Sequence, residues 1–357
     1  MFKDINYKEI INRNDFIFID VRSPNEFEEA TIPGAINIPL FNNEERTLIG
    51  TIYKTESPEK ATEVGLELVS PKIPALIKEI KTSLASGQKP VFFCWRGGMR
   101  SKTVATLYQI VYPKHVYRLS GGYRAYREYI LEQIANIKIE NPTFVLHGKT
   151  GVGKTILLNK LKAHDNNELA VIDLEDLAGH RGSIFGGIGD INPVNQKKFD
   201  SRVYELLINL NDKSAIILEA ESKRVGKVLV PDNIMLAKEN GHHILINASI
   251  DKRIERIVAD YKPSENKEEL YNAYSRIARR LPTEIRHEIN SAFEYNDFYT
   301  VVKLFLLHYY DPKYQHSTDQ YQGKFLEVNS DDLDKAVNEI YIYINQTLNK
   351  NIPVHAK

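Results

Sequence analysis

The stretch Thr143-Phe-Val-Leu-His-Gly-Lys-Thr-Gly-Val-Gly-Lys-Thr155 passes without a break from an apolar strand pattern into a glycine-rich turn and then a helix start. Gly148, Gly151 and Gly153 let the backbone wrap a diphosphate, so that successive N–H groups and the N-terminus of the next helix face its oxygens. Lys154 adds a positive charge, and the Thr155 hydroxyl can ligate Mg²⁺. A lysine and a threonine have no structural reason to close such a turn. The pattern therefore predicts a diphosphate site and leaves open which diphosphate binds.

The same strand-then-helix order continues downstream. LAVIDL ending at Leu174, AIILEA ending at Ala220 and HILINA ending at Ala248 read as further strands of a mostly parallel sheet. Beyond them, apolar spacing predicts helices over 251–261, 267–281 and 283–309, a short strand near Phe325 and a last helix over 331–345. Glu219 and Glu221 close one strand, and Asp173 with Glu175 closes another, where carboxylates can hold a metal ion or orient a water. Between them, Gly179-His-Arg-Gly-Ser-Ile-Phe-Gly-Gly-Ile-Gly189 has the composition of a flap, with Arg181 as the cation that closes on an anion.

Upstream lies a separate α/β segment. Its strands are FIFID (Phe16–Asp20), AINIP around Ile36, PVFFC ending at Cys94 and VYRL near Tyr117, and a helix starts near Ser101. The polar run IKIENP before Thr143 separates the two, giving domains 1–137 and 138–357, the second with a helical C-terminal part. Hydrophobic residues at 42% and charged residues at 26% exclude fibrous and disordered classes. Lys+Arg and Asp+Glu are both 47, so an anionic partner has to be held by a local patch. The charged N-terminus and the lack of an apolar run of about 18 residues predict a cytoplasmic protein with no membrane partner.

The single cysteine, Cys94, cannot form an internal disulfide. It opens the loop Cys94-Trp-Arg-Gly-Gly-Met-Arg-Ser101, in which Arg96, Gly97, Gly98 and Arg100 stand before a helix N-terminus. Amide donors and positive charge there favour a thiolate or a bound anion.

This loop resembles that of the rhodanese family, sulfurtransferases whose cysteine carries a persulfide. Asp20-Val21-Arg22, Glu26-Phe27, Ile32-Pro33-Gly34-Ala35 with Asn37 and Pro39, and Leu119-Ser120-Gly121-Gly122 carry the same resemblance, with Thr31 where many members have His. Five residues separate Cys94 from Arg100, whereas sulfur-only loops of that family usually have four, so a tetrahedral anion should fit. Rhodanese-like phosphatases share that spacing.

A rhodanese-like domain followed by a P-loop NTPase-like α/β domain resembles, as a combination, the tRNA 2-selenouridine synthase family. The residues that carry it are Phe93 to Ser101, His180-Arg181-Gly182-Ser183 to Phe185-Gly186, Glu219 to Ser222 and Tyr309-Tyr310-Asp311-Pro312, and coverage runs over 5–345. The resemblance implies a two-step reaction on tRNA with 2-thiouridine at the wobble position. Geranyl diphosphate first alkylates the 2-sulfur, and selenophosphate, supplied by a selenophosphate-producing enzyme, then replaces it with selenium. It implies geranyl diphosphate at Gly148–Thr155, selenophosphate at the Cys94 loop with Arg96 and Arg100 on its oxygens, Cys94 as selenium acceptor, and no tightly bound cofactor. The tRNA phosphates would meet Arg276, Arg279, Arg280 and Arg286, the first three of which share a face at helical spacing. An apolar slot for the geranyl chain would come from the aromatic helices over 271–310. Rival readings are an ATP-dependent tRNA sulfurtransferase with a Cys94 persulfide, a nucleotide-switched binding module, and a phosphatase, for which the sequence offers no general acid.

Overall fold

The computed structural model describes residues 2–164, 168–180, 193–210, 212–312 and 325–350. The chain divides into two compact units, Met1–Ile134 and Ala135–Lys357.

In the first unit, strands β1 (Lys3–Ile5), β2 (Phe16–Asp20), β3 (Ile36–Asn37), β4 (Lys89–Phe93) and β5 (Tyr117–Leu119) form one sheet in the order β1-β5-β4-β2-β3. Every neighbouring pair is parallel. β4 lies centrally, and Val91, Phe92 and Phe93 are fully buried, which is why this strand reads as a continuous apolar run. Three helices, Asn43–Thr55, Pro58–Val69 and Ile73–Ser83, fill the long connection to β4. The first two start at Asn42 and Ser57, whose side chains accept from Glu45 N and Lys60 N. Val69, Leu76, Ile77 and Ile80 pack with Ile19, Val21 and Phe92 in the core of this unit.

In the second unit, β6 (Thr143–His147), β7 (Leu169–Ile172), β8 (Ala215–Glu219), β11 (His242–Asn247) and β12 (Leu326–Asn329) form a parallel sheet in the order β12-β11-β6-β8-β7. Between β8 and β11 a small antiparallel ribbon, β9 (Arg224–Val225) and β10 (Val228–Leu229), stands apart. Both units are thus α/β with parallel sheets, as the sequence pattern predicts. In both, the loops of interest leave the carboxyl ends of central strands, where open α/β sheets bind ligands.

The helical part departs from the expected boundaries. The helix expected over 283–309 is three pieces: Thr283–Glu294, Phe298–Phe305 and a π-helical turn at Leu306–Tyr310. Asn296 takes a positive φ of 56°, and the Asp297 side chain caps the next helix by accepting from Thr300 N. The apolar spacing runs on across this break because Phe293, Val301, Val302 and Phe305 all enter the same core. The helix expected over 267–281 ends at Ile277 and continues as a 3₁₀ turn, Ala278–Arg280. The last helix runs further than expected, from Leu333 to Lys350.

Candidate functional site

β4 carries Cys94 to its carboxyl end, where the residue is 4% exposed. Cys94 O accepts from Tyr123 N at 2.9 Å and Trp95 O accepts from Arg124 N at 2.9 Å, which ties the loop to the glycine turn after β5. Gly122 sits there at φ +60°, and a Cβ would fall 2.2 Å from Cys94 O and 2.4 Å from Gly97 N. Beneath the loop, buried Asp20 pairs with buried Arg22 at 2.6 Å and accepts from Thr31 Oγ1 at 2.8 Å. Thr31 thus supplies a hydrogen bond to the Asp-Val-Arg corner.

Cys94 Sγ lies 3.3 Å from Ser101 Oγ, and Gly98 is the N-cap of the helix Met99–Val111. Arg100 is engaged: its Nη1 and Nη2 donate to Glu26 at 2.5 and 3.1 Å, with Arg46 Nε 3.5 Å from the same carboxylate. Burial alone would raise the Glu26 carboxyl, but the bonds and charge of Arg100, with Ser23 N–H and Arg46, hold it at about 2. Arg100 therefore brings a matched charge to the loop. Arg96 is exposed and, among the described residues, has no ion pair.

In the second unit, Gly148, Gly151 and Gly153 all have positive φ, and at Gly148 a Cβ would meet Ile246 O at 2.6 Å. Lys154 Nζ donates to Gly148 O at 3.1 Å, folding back over its own loop. Thr155 Oγ1 donates to Glu219 Oε1 at 2.9 Å, because β6 and β8 pair with Leu146 opposite Glu219. Three residues that sequence reading did not single out brace the loop from behind. Arg253 donates to Thr150 O at 2.8 Å, Arg256 donates to Val152 O at 2.8 Å, and Ser330 Oγ donates to Val152 O at 2.7 Å. Asp311, one of the family-like motif residues, accepts from Arg253 at 2.6 and 3.0 Å and from Lys149 at 3.2 Å.

Glu175, Glu219 and Glu221 each offer a carboxylate oxygen within 4.8 Å of the others. Burial pushes Glu219 up to about 7, and burial plus the charges of Glu219 and Glu221 push Glu175 to about 9. Burial also raises Asp173, which spends one oxygen capping the helix Leu174–Ala178 through Asp176 N at 2.9 Å. The acid that joins Glu219 and Glu221 is thus Glu175, from the first turn of that helix. Three carboxylates and the Thr155 hydroxyl are hard oxygen donors that fit a divalent cation such as Mg²⁺.

A cleft of about 1150 Å³ lies along this loop, lined by Gly151, Lys154, Thr155, Glu175, Glu219 and His180 among others. At one end Thr150, Ile257 and Tyr261 also border an apolar notch with Leu270, Val302, Phe305 and Tyr310. That notch measures about 20 Å³, room for one water, so the apolar slot expected from these helices is not open. Most of their aromatics are core. Arg181 and the flap beyond it lie outside the described residues; Gly179, at φ +56°, leads into it.

Arg276, at the end of the helix Lys267–Ile277, and Arg279 and Arg280, in the 3₁₀ turn, are exposed. The change of helix type at Ala278 breaks the regular spacing on which one shared face was expected. Among the described residues none of the three pairs with Glu284 or Glu288. Arg286 differs: it is half-buried and donates to Thr283 Oγ1 at 2.8 Å. Among the described residues no helix is long and apolar enough to cross a membrane.

Comparison with known proteins follows the same division. Residues 6–129 match the rhodanese-like domain family, and residues 141–346 match the family described as the tRNA 2-selenouridine synthase AAA domain. A tRNA 2-selenouridine synthase of a Sulfurovum species is 31% identical over 344 residues, covering 88% of this chain and 92% of that protein. Another, from Hydrogenovibrio crunogenus, is 30% identical over 347 residues, covering 89% and 93%. A third, from Marinobacter nauticus, is 31% identical over 349 residues, covering 88% and 91%. The relatives span both the cysteine loop and the braced diphosphate loop, in one order and at nearly full length, and the chain belongs to the tRNA 2-selenouridine synthase family.

Proposed function

We propose that this chain is a transferase that modifies tRNA, replacing the 2-sulfur of wobble 2-thiouridine by selenium in two steps. The observation that carries the reading is that one chain holds two separate glycine-rich loops, one closed by Lys154 and Thr155 and one opened by its only cysteine. The family and the names of its relatives support the overall reaction.

In the first step, geranyl diphosphate lies with its diphosphate in the Gly148–Thr155 loop. The thione sulfur attacks the allylic carbon, and Lys154 with the loop amides stabilises the departing diphosphate. Thr155, Glu219, Glu175 and Glu221 would hold a divalent cation, which neutralises diphosphate charge when bound. Alkylation turns a poor leaving thione into a good leaving thiolate. In the second step, selenophosphate lies in the Cys94 loop, with Arg96 and the amides at the start of Met99–Val111 on its oxygens, and selenium displaces the alkylated sulfur. Arg276, Arg279 and Arg280 meet tRNA phosphates. No nucleotide is consumed.

The test is mass spectrometry of nucleosides from 2-thiouridine tRNA incubated with the protein and geranyl diphosphate, without ATP, before and after selenophosphate is added. The expected result is a geranyl mass gain followed by exchange of sulfur for selenium. Modification that starts only when ATP is added assigns the second unit to nucleotide hydrolysis and Cys94 to a persulfide.

A further inference from the structure

The selenium of selenophosphate is already at the selenide level of oxidation. To hold it as a perselenide, the Cys94 thiolate would have to lose two electrons to an oxidant, and a chain with one cysteine has no second thiol to pair with it. Transfer of the phosphoryl group to the same sulfur is redox-neutral.

The loop suits phosphorus as the point of attack. Five residues lie between Cys94 and Arg100, and Gly98, at the mouth of the helix Met99–Val111, is exposed. A Cβ on Gly98 would find no atom within 4 Å, so packing does not require glycine there, whereas close approach of an oxyanion does. Beneath, Cys94 is 4% exposed and Ser101 is fully buried. Ser101 Oγ lies 3.3 Å from Cys94 Sγ and 3.2 Å from Gly98 O, and its one proton serves one of them at a time. Gly98 O keeps a second donor, Lys102 N at 3.1 Å, so the hydroxyl can turn to the sulfur and leave no carbonyl unpaired. The Cys94 sulfur thus lies at the mouth of the helix Met99–Val111 with a hydroxyl that can donate to it.

We propose that Cys94 accepts the phosphoryl group of selenophosphate, not its selenium. The thiolate attacks phosphorus, an S–P bond forms, the P–Se bond breaks, and both electrons of that bond leave with selenium as hydrogen selenide, the nucleophile for the alkylated base. Water then attacks phosphorus, phosphate departs and the Cys94 thiolate returns, with Ser101 donating to the sulfur as it leaves. Selenide is a far better leaving group than an alkoxide, so the absence of a general acid in the sequence is no obstacle. The proposal rests on reading the Cys94 loop as the selenophosphate site.

The experiment uses the full chain and monothiophosphate, because selenium and a phosphoryl group add nearly the same mass whereas sulfur does not. Intact-mass measurement after a neutral denaturing quench should show one phosphoryl group on the wild type and none on Cys94→Ala. Sulfide and phosphate should appear in equal amounts and cease in Cys94→Ala, a readout that holds even when the adduct turns over before the quench. Ser101→Ala should slow sulfide release about tenfold, with Ser101→Thr restoring it. A gain of one sulfur atom, sulfide release that survives Cys94→Ala, or neither adduct nor release overturns the proposal. If the phosphoryl adduct forms yet nucleosides never gain selenium, the proposal stands and the tRNA reading fails.

Discussion

Thr155 Oγ1 and Glu219 Oε1 are 2.9 Å apart, so the last residue of the diphosphate loop and the acid at the end of β8 form one hydrogen-bonded unit. Glu219 is 1% exposed and shares its surroundings with Glu175 and Glu221. Three carboxylates in that space cannot all be charged at modest cost, and they stay together by keeping protons or by sharing a cation.

Stability should therefore depend on pH with a definite sign. The folded-state values of Glu219, about 7, and Glu175, about 9, lie above the ordinary carboxylate value of about 4.3. Their contribution is fully present below the unfolded value and is lost as pH rises through 7 towards 9. Thermal unfolding followed by circular dichroism in a chelator should show a falling midpoint over that range. Mg²⁺ or Mn²⁺ should restore the midpoint at the alkaline end, and Glu175→Gln should flatten the profile. A flat wild-type profile would show that the acids are solvated and fully ionised.

Lys154→Ala should lower geranyl attachment at least about 100-fold, the scale of one lost transition-state donor or charge. Selenium transfer to tRNA that is already geranylated should stay close to wild type. The two rates, measured separately by nucleoside mass spectrometry, check the division of labour, and equal losses in both would refute it.

Cys94→Ser should have the opposite signature. Geranylated tRNA should accumulate when both co-substrates are present, because the first step needs only the second loop. Normal selenouridine formation in this variant would remove Cys94 from the chemistry.

The arginines should separate in a binding experiment. Replacing Arg276, Arg279 and Arg280 with Ala together should reduce the slope of log affinity for tRNA against log salt by about 2 to 3, with the melting temperature unchanged. Arg286→Ala, which loses the bond to Thr283, should lower stability and leave the salt slope nearly unchanged. If the triple variant leaves the slope untouched, tRNA binds on another face.

Gly122→Ala should destabilise the first unit by at least about 2 kcal/mol, since it combines a left-handed backbone with overlap onto Cys94 O. Denaturant unfolding gives this number directly. A change below half of it would mean that the turn after β5 can move off the cysteine loop.

The diphosphate loop was legible because its glycines, lysine and threonine are contiguous, and the central strands were legible because burial on both faces leaves uninterrupted apolar runs. The break at Asn296 and Asp297 was hidden, since apolar residues on either side of it enter one core and keep the helical rhythm. Arg253, Arg256 and Ser330 carried no local signal; each acts on a backbone carbonyl far away in the chain. The resemblance placed Arg100 on the oxygens of a bound anion, and its pairing with Glu26, which the same motif set contains, could not be read from the sequence. Asp173 and Glu175 could not be ranked by position alone, because the choice depends on which of them caps the helix.

Asp311 meets Lys149 across 162 positions of sequence, and Arg253, 4% exposed, has this carboxylate as its counter-charge. During synthesis the diphosphate loop leaves the ribosome long before that carboxylate does, by roughly 8 to 32 s at ordinary elongation rates. Through that interval a nascent chain carries the loop with its rear support incomplete, and over the last 58 positions also an arginine whose carboxylate partner has not yet been made. A ligand that grips the loop should therefore find it only in a chain translated past Asp311, and a fragment made to stop earlier should emerge as a sheet with a slack phosphate turn.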